Sequence, residues 1–500
     1  VSGIPRPPTV TPTGLSRLAA ALHLAAADAD VQVSGVTHAS AEVRPGDLYA
    51  ALPGARRHGA EFVGVAADAG AVAVLTDAAG RAAAERAGLP ALIADDPRAV
   101  LGTAASLIYG DPSADLRVIG ITGTAGKTST AYLVESGLRA AGLTTGLIGT
   151  VETRLGDMVI DSARTTPEAT DLHALLATAR HRGVQAVVME VSSHALALGR
   201  VGGVRFDVGG YTNFGQDHLD FHTSSADYFA AKALLFDGRC AHEVLNHDDP
   251  ALRPLFTDAT VSYSAAGAAE ATWRAADVRP SAFGQRFVAY GPGGAVECGV
   301  SLPGRHNVAN ALLALASLTL AGVDAPTAAS GVAACPGVPG RLEQVSAPGE
   351  VLGVVDYAHK PDAIVAALAA LRELATARGG RLLCVIGAGG DRDRGKRPLM
   401  GAAAARGADL VVVTDDNPRT EDPEAIRAAV RGGAEAAATG AKIIEVAGRR
   451  AAIDEAVRLA AAGDVVAVLG KGHERGQEVD GRMLPFDDRI ELAASLAGAA

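Results

Sequence analysis

Between Leu116 and Thr130 the sequence runs from an apolar, β-branched stretch through glycines into a helix-forming segment, and this order restricts the surrounding fold more than any other part of the chain. Leu116-Arg-Val-Ile-Gly-Ile121 reads as a buried strand, Gly123-Thr-Ala-Gly126 as a turn and Ser129 onward as a helix. Strands alternating with helices in this way imply a mostly parallel sheet. The turn also carries chemistry. Its glycines let backbone N–H groups close around phosphate oxygens, Lys127 supplies a cation for β- and γ-phosphates, and Thr128 offers a hydroxyl to Mg²⁺. The standard loop, G-x-x-x-x-G-K-[ST], would put its first glycine at Ile121, whereas here it falls at Gly123 and gives G-x-x-G-K-T. An ordinary glycine turn is the competing reading in a chain with 59 glycines, but strand, Lys-Thr and helix in sequence favour a phosphate loop. Alone, the loop supports only triphosphate binding, as in a kinase, a GTPase, a motor or a ligase.

A chain of 500 residues exceeds one hydrophobic core and predicts about three domains. The net charge of −11, with no basic block, carries no nucleic-acid footprint, so anionic substrates must meet local cationic pockets. Cys240, Cys298, Cys335 and Cys384 lack paired spacing, which argues against a disulfide framework or zinc site and fits a reducing compartment. Arg17 followed by Leu18 to Ala27 resembles a short signal core. A Pro-rich arm precedes it, however, His23 interrupts it, and Ala25-Ala-Ala-Asp-Ala-Asp30 suits an Ala-rich surface helix. No stretch reaches the ~18 apolar residues of a membrane span. The expectation is a soluble, cytoplasmic monomer acting on small molecules, with no nucleic-acid partner.

Alanine is too abundant for helix propensity to discriminate, so β-branched runs bounded by Gly, Asp or Pro locate the strands. They form three groups, giving an α/β fold of three domains at 1–111, 112–340 and 341–500: a small α/β unit, a central parallel-sheet domain holding the loop, and a Rossmann-like domain. The first has strands at Gly46–Leu52 and Ala71–Thr76 and ends at the turn-rich Gly110–Asp115. The second adds strands Ala186–Val191 and Asp207–Asn213 and a helix Asn307–Leu320. The third shows strands Val351–Asp356, Leu382–Gly387, Leu410–Thr414 and Val465–Gly470.

Ligands of open α/β sheets gather beyond the carboxyl ends of the strands, which singles out Glu190 and Asn213. Glu190-Val-Ser-Ser-His194 sets a carboxylate beside two hydroxyls and an imidazole, although a capped turn before a helix explains the same residues. Thr212-Asn-Phe-Gly-Gln-Asp-His-Leu-Asp220 adds His218. Mg²⁺ prefers oxygen ligands, so Glu190 with Thr128 suits it, and His218 is a softer candidate. Lys232, among apolar residues in Tyr228–Phe236, would ordinarily extend its ammonium to water and reads as structural.

Taken together, Thr122–Thr128, Thr165-Thr-Pro-Glu168, Glu190–Leu196, Thr212–Asp220, Pro303-Gly-Arg-His-Asn-Val-Ala-Asn310, Gly340-Arg-Leu-Glu343, Asp356-Tyr-Ala-His359, Asp415-Asp-Asn-Pro-Arg419 and Gly470-Lys-Gly-His-Glu474 resemble the motifs of the Mur ligases, from about Pro45 to Arg489. The resemblance implies an ATP-dependent, ADP-forming amide synthesis in peptidoglycan assembly: the D-glutamyl γ-carboxylate of a UDP-linked muramoyl dipeptide is phosphorylated, and an amine then attacks the acyl phosphate. It implies a domain for each of UDP-sugar, ATP and amino acid, in that order. For ATP it points to Gly123, Thr124, Ala125, Gly126, Lys127, Thr128, Ser129, Asn310, Arg341 and Asp356, with the aspartate at the ribose. Lys127, Glu190, His218 and Lys232 become the catalytic set. Lys232 matches a lysine carbamylated by CO₂ to N6-carboxylysine, which, with Thr128, Glu190 and His218, holds Mg²⁺; an ammonium cannot ligate a cation, whereas a carbamate can. For the UDP-sugar the family points to Ser40, Thr165, Thr166, Ser192 and Arg200. This chain has Ala39-Ser40-Ala41 where an Asp-Ser-Arg triplet is common, so part of the uridine pocket is expected to be built differently.

Asp416-Asn417-Pro418-Arg419 alone reads as a turn, since Asn-Pro starts turns and arginine is usually solvated. Within the resemblance, D-N-P-R marks members that add diaminopimelate. A carboxylate on the incoming amino acid calls for a bidentate guanidinium, which Arg419 supplies. Arg392, Asn417, Gly470 and Glu474 match the remaining pocket positions, Glu474 being suited to an ammonium. The alternatives are a lysine-adding relative, a folylpolyglutamate synthetase, a non-catalytic ATP-binding regulator and a P-loop hydrolase driving motion.

Overall fold

The computed structural model describes residues 4–27, 29–54, 56–218, 220–345 and 350–499. Asp28 and Leu219, which fall in segments singled out above, lie outside the described residues. The chain divides into two compact units, one comprising Val1–Arg274, Tyr290–Val296 and Leu312–Val332, the other Ala275–Ala289, Glu297–Ala311 and Ala333–Ala500.

In the first unit, β-branched and small residues build the parallel strands Arg117–Thr122, Thr145–Ile148, Ala186–Glu190, Phe206–Tyr211, Cys240–Asn246 and Val261–Ser264. Arg117–Thr122 lies between Ala186–Glu190 and Phe206–Tyr211, in a register that pairs Glu190 with Ile121 and Tyr211 with Thr122. Such strands are covered on both faces and therefore read as near-continuous apolar runs. An antiparallel hairpin, Glu152–Leu155 and Met158–Asp161, extends the edge beside Thr145–Ile148. A separate four-stranded parallel sheet takes Gly35–Thr37, Asp47–Ala50, Ala73–Thr76 and Ala91–Ile93 in sequence order. The helix Pro97–Ile108, N-capped by Asp96, packs beside it. Gly102 of that helix meets the backbone of Gly202 so closely that a Cβ would lie 2.4 Å from the Gly202 carbonyl, so only glycine permits this approach.

The N-terminal segment corrects the sequence reading. Leu15–Ala21 forms the helix and buries Leu15, Leu18 and Ala19, whereas residues 24–27 are not helical. His23 takes a left-handed conformation (φ 56°), and the Leu24 N–H bonds back to the Ala19 carbonyl at 2.9 Å. That closure ends the helix before the alanine run begins. The helix is therefore earlier than expected and feeds the core, while Ala25 and Ala26 beyond it are exposed but not helical.

In the second unit, parallel strands Leu352–Asp356, Val465–Leu469, Leu382–Ile386, Leu410–Val413 and Lys442–Glu445 lie in that spatial order, with Glu343–Gln344 antiparallel at one edge. Their faces carry the helices Pro361–Ala377, Lys396–Gly407, Pro423–Ala436 and Arg449–Leu459. A short antiparallel hairpin, Gly476–Val479 and Arg482–Pro485, follows the strand Val465–Leu469. Among the described residues no helix is long and apolar enough to cross a membrane.

Candidate active site

The carboxyl ends of the central strands in the first unit converge on the phosphate loop. Gly126 precedes the helix Lys127–Ala140 in a left-handed conformation (φ 86°) and provides no side-chain cap, leaving the first turn of the helix to face whatever the loop encloses. The loop is fixed from the neighbouring strand: Thr124 N–H donates to the Asn213 carbonyl (2.8 Å), Ala125 N–H to Asn213 Oδ1 (3.1 Å), and Thr212 Oγ1 to the Ala125 carbonyl (2.6 Å). Lys127 folds back, its Nζ donating to the carbonyls of Gly123 (2.7 Å) and Thr124 (3.1 Å). Ser129 is buried.

Glu190 is 1% exposed and joins three segments. Its Oε2 accepts from Thr128 Oγ1 (3.0 Å) and Thr150 Oγ1 (3.0 Å), its Oε1 from the Thr150 N–H (2.8 Å), and its backbone carbonyl from Thr166 Oγ1 (2.9 Å). Thr150 Oγ1 also meets Thr165 Oγ1 at 3.0 Å. The capped-turn reading holds as well, since Ser192 Oγ accepts from Ala195 N–H at the start of Ser193–Ala197. Thr150 was not apparent in the sequence; its only signal is its place just after the strand Thr145–Ile148.

Lys232 is 1% exposed and does not reach water. Its Nζ donates to the Gly123 carbonyl (2.8 Å) and lies 4.8 Å over the Tyr228 ring, whose hydroxyl sits 3.2 Å from Thr124 Oγ1. The expectation that this lysine extends to water is thus overturned: the helix Ser225–Ala233 brings it to the Gly123 carbonyl of the phosphate loop. His218, also left-handed (φ 51°), packs edge-on against His194 at 4.6 Å and within 6.1 Å of Tyr228, with Asp217 3.2 Å from its Nε2. Among the described residues no three His, Cys, Asp or Glu side chains are gathered as a ready metal cage. Thr128 and Glu190 form the oxygen pair, with Lys232 bonded directly to the loop at Gly123 and His218 packed against Tyr228, which meets Thr124.

Of the residues expected at the UDP-sugar, Arg200 is paired with Glu168 while Thr165, Thr166 and Ser192 lie about Thr150 and Glu190. Arg200 Nη2 pairs with Glu168 Oε1 at 2.8 Å and Arg98 Nη1 with Oε2 at 3.6 Å, while Thr166 Oγ1 lies 3.3 Å from Ser192 Oγ. Burial lowers the Arg200 pKa against the attraction of Glu168, and its buried Nε has no partner among the described residues. A cationic donor held dry in this way is suited to an anionic ligand. A cavity of about 360 Å³ opens nearby, lined by Ala39, Ser40 and Ala41 together with His38, Tyr49 and Arg98.

In the second unit, Asn310 Nδ2 donates to Asn307 Oδ1 (3.0 Å), and the Arg341 guanidinium lies 4.4 Å over the Tyr357 ring. Asp356 accepts from the N–H groups of Leu342 (2.6 Å) and Ala358 (2.7 Å); burial raises its pKa, opposed by Arg341 and these two bonds. The amino-acid candidates meet where Leu410–Val413 and Val465–Leu469 end. Asn417 Nδ2 donates to Glu474 Oε2 (3.0 Å), and Asn417 Oδ1 accepts from Lys471 Nζ (3.0 Å) and Glu478 N–H (3.0 Å). Arg419, flanked by Pro418, is left-handed (φ 55°); its Nε donates to Glu478 Oε2 (3.0 Å) and its Nη1 to the Gly390 carbonyl (2.7 Å). It is not the solvated arginine of a turn. Gly470 (φ 120°) adjoins Asp416, where a Cβ would lie 2.6 Å from Asp416 Oδ2. Arg392 is exposed beside this group. Lys471, fully buried, and Glu478 did not stand out in the sequence: Lys471 lies within Gly470-Lys-Gly-His-Glu474, and Glu478 sits on a hairpin whose tie to residue 419 no local pattern announces.

Comparison with known proteins accords with this geometry. The chain matches the family descriptions "Mur ligase family, catalytic domain" over residues 32–109, "Mur ligase middle domain" over 121–318 and "Mur ligase, glutamate ligase domain" over 340–472. It is 53% identical to a Streptomyces coelicolor protein named UDP-N-acetylmuramoyl-L-alanyl-D-glutamate–2,6-diaminopimelate ligase, over 99% of this chain and 98% of that one. A Corynebacterium glutamicum protein of the same name is 48% identical over 90% and 89% of the two chains. A solved structure described as a UDP-N-acetylmuramoyl-L-alanyl-D-glutamate–2,6-diaminopimelate ligase superimposes with a TM-score of 0.68 at 31% identity, covering 98% of this chain and 99% of the other. With its phosphate loop, its strand-end carboxylate and its full-length likeness to these ligases, the chain belongs to the Mur ligase family.

Proposed function

We propose that this protein is the ATP-dependent, ADP-forming ligase that adds diaminopimelate, in its meso form, to the D-glutamyl γ-carboxylate of UDP-N-acetylmuramoyl-L-alanyl-D-glutamate during peptidoglycan precursor synthesis. One observation carries the reading. Glu190 holds Thr128 of the phosphate loop and Thr150 with its carboxylate, Thr150 in turn meets Thr165, and the Glu190 backbone carbonyl accepts from Thr166, so the phosphoryl donor and the UDP-sugar candidates converge on one buried residue. A substrate carboxylate oxygen attacks the γ-phosphorus of ATP and ADP leaves. The amine then attacks the acyl carbon, phosphate departs with the C–O bond electrons, and the nitrogen gives up a proton. Phosphorylation turns a poor leaving group into a good one, and Lys127 offsets charge crowding as it forms.

Residues 1–111 take the UDP-sugar, 112–340 the ATP and 341–500 the amino acid. The oxygen donors Thr128 and Glu190 suit Mg²⁺, which supplies neutralisation of phosphate charge. Lys232, buried against a carbonyl, is suited to carbamylation by CO₂, and as the carbamate it would hold Mg²⁺ together with His218. Asn310, Arg341 and Asp356 serve ATP. Ser40, Thr165, Thr166, Ser192 and Arg200 serve the UDP-sugar. Arg392, Asp416, Asn417, Pro418, Arg419, Gly470 and Glu474 serve diaminopimelate, with Arg419 on its distal carboxylate. The protein works in the cytoplasm as a monomer.

The test incubates the protein with ATP, Mg²⁺ and the UDP-linked dipeptide, adding meso-diaminopimelate, LL-diaminopimelate or L-lysine in separate reactions. Phosphate release that depends on all substrates and is fastest with the meso isomer is expected. Release from ATP alone refutes the ligase reading, and preference for lysine refutes the role of Arg419.

A further inference from the structure

The carboxylate of Glu478 holds the guanidinium that the reading above assigns to the amino-acid substrate. Arg419 sits on a loop that has no regular structure of its own. Its backbone is stitched to the hairpin strand Gly476–Val479: Arg419 N–H donates to the Glu478 carbonyl (3.0 Å) and Asp480 N–H to the Arg419 carbonyl (2.8 Å). Glu478 N–H donates to Asn417 Oδ1 (3.0 Å), and Gln477 Nε2 to the Asp416 carbonyl (2.5 Å). These contacts fix the main chain but leave a long side chain with several rotatable bonds. Two further contacts fix its head: Nε to Glu478 Oε2 (3.0 Å) and Nη1 to the Gly390 carbonyl (2.7 Å).

The choice of atoms matters. A guanidinium presents five N–H donors in one plane. Glu478 takes the Nε hydrogen and Gly390 one Nη1 hydrogen, while Nη2 has no protein partner among the described residues. Both Nη2 hydrogens and one on Nη1 thus remain for a second carboxylate, which a guanidinium can meet with two parallel bonds. The Arg419 side chain is 21% exposed and that of Glu478 35%, so the pair is not sealed from a small ligand.

We propose that Glu478 is a positioning residue that aims Arg419 at the distal carboxylate of diaminopimelate and so sets the preference for that acceptor over lysine. The proposal rests on Arg419 being the acceptor-carboxylate residue. It predicts a split that a general structural role would not produce. For Glu478→Ala, the KM for meso-diaminopimelate should rise about tenfold, the loss of roughly one charge-assisted hydrogen bond. The kcat and the KM values for ATP and the UDP-linked dipeptide should stay within about twofold of wild type. L-Lysine lacks the distal carboxylate, so its slow reaction should be unchanged and the diaminopimelate-to-lysine ratio of kcat/KM should fall by the same factor. Glu478→Gln, whose amide oxygen still accepts from Nε, should recover most of the loss.

The experiment measures these constants for wild type, both Glu478 variants, Arg419→Ala and the double variant, with thermal melts to verify folding. In the Arg419→Ala background, Glu478→Ala should add nothing. If Arg419→Ala raises the diaminopimelate KM and Glu478→Ala leaves both that KM and the ratio within about twofold, the role of Glu478 is refuted while Arg419 stands. A fall in KM for Glu478→Ala refutes it too, since Glu478 would then compete for Arg419. If Arg419→Ala leaves the KM unmoved, the acceptor reading itself fails.

Discussion

Replacing Arg449 by methionine tests how the acceptor end of the second sheet is held. Arg449 and Asp488 are both fully buried and paired bidentately, Nε to Oδ1 and Nη2 to Oδ2, each at 2.7 Å. Arg449 also donates to the carbonyls of Leu469 (3.0 Å) and Asp415 (3.2 Å), and its Nη1 lies 3.8 Å from Asp416 Oδ2. Burial alone would depress its pKa; Asp488, with help from Asp416 and Glu474, outweighs burial and raises it. Methionine keeps much of the volume but strands one carboxylate and two carbonyls. A stranded buried carboxylate costs about 3–5 kcal/mol. The carbonyls add about 1–2 kcal/mol, so the whole penalty at pH 7 is about 4–7 kcal/mol.

Arg449→Met with Asp488→Leu removes the stranded charge and should leave only about 1–2 kcal/mol. Urea unfolding of the full chain at pH 7, followed by circular dichroism, measures both variants against wild type. A single-variant penalty below about 1 kcal/mol, or a double variant no more stable than the single one, refutes the argument. The KM for diaminopimelate should rise as well, since Arg449 holds the carbonyl of Asp415 and lies 3.8 Å from Asp416, which is proposed to serve the amino acid.

Gly123→Ala should weaken ADP binding at least about tenfold by calorimetry: at φ +136° a Cβ would fall 1.8 Å from Thr212 Oγ1, and the carbonyl that receives Lys127 and Lys232 would shift. Thr128→Val should leave the melting temperature nearly unchanged, because Glu190 keeps Thr150, while lowering Mg²⁺-dependent kcat roughly a hundredfold. Equal loss of stability and activity would show Thr128 to be structural. His173 is fully buried, its Nε2 2.8 Å from the Gly202 carbonyl, and burial holds its pKa down to about 4. With the folded pKa below the unfolded one, its contribution is present above about pH 6.5 and is lost as pH falls toward 4, worth on the order of 3 kcal/mol. His173→Gln, which cannot charge, should flatten that part of the stability profile, and an unchanged slope would refute this.

Much of the fold was legible because doubly covered parallel strands must be apolar along their whole length: Arg117–Thr122, Ala186–Glu190, Leu382–Ile386 and Val465–Leu469 all fall inside β-branched runs. The hairpins Glu152–Asp161 and Gly476–Pro485 escaped, since strands of four residues with few or no buried positions carry little such pattern. Helix propensity misplaced the N-terminal helix toward the alanines, where the left-handed His23 stops it and burial of Leu15 and Leu18 holds it earlier.

The sequence by itself determined the phosphate loop, the order of its flanking strand and helix, and the residue types that phosphate and carboxylate chemistry require, because glycine, lysine and threonine act there through local backbone geometry. Tertiary structure decided the partnerships: Glu190 with Thr128 and Thr150, Lys232 with the Gly123 carbonyl, Arg200 with Glu168, and Arg419 with Glu478. Each joins groups brought together by strand order and side-chain packing. A distance of about 3 Å across a sheet edge is set by how the sheet closes, and no pattern within a single segment encodes it.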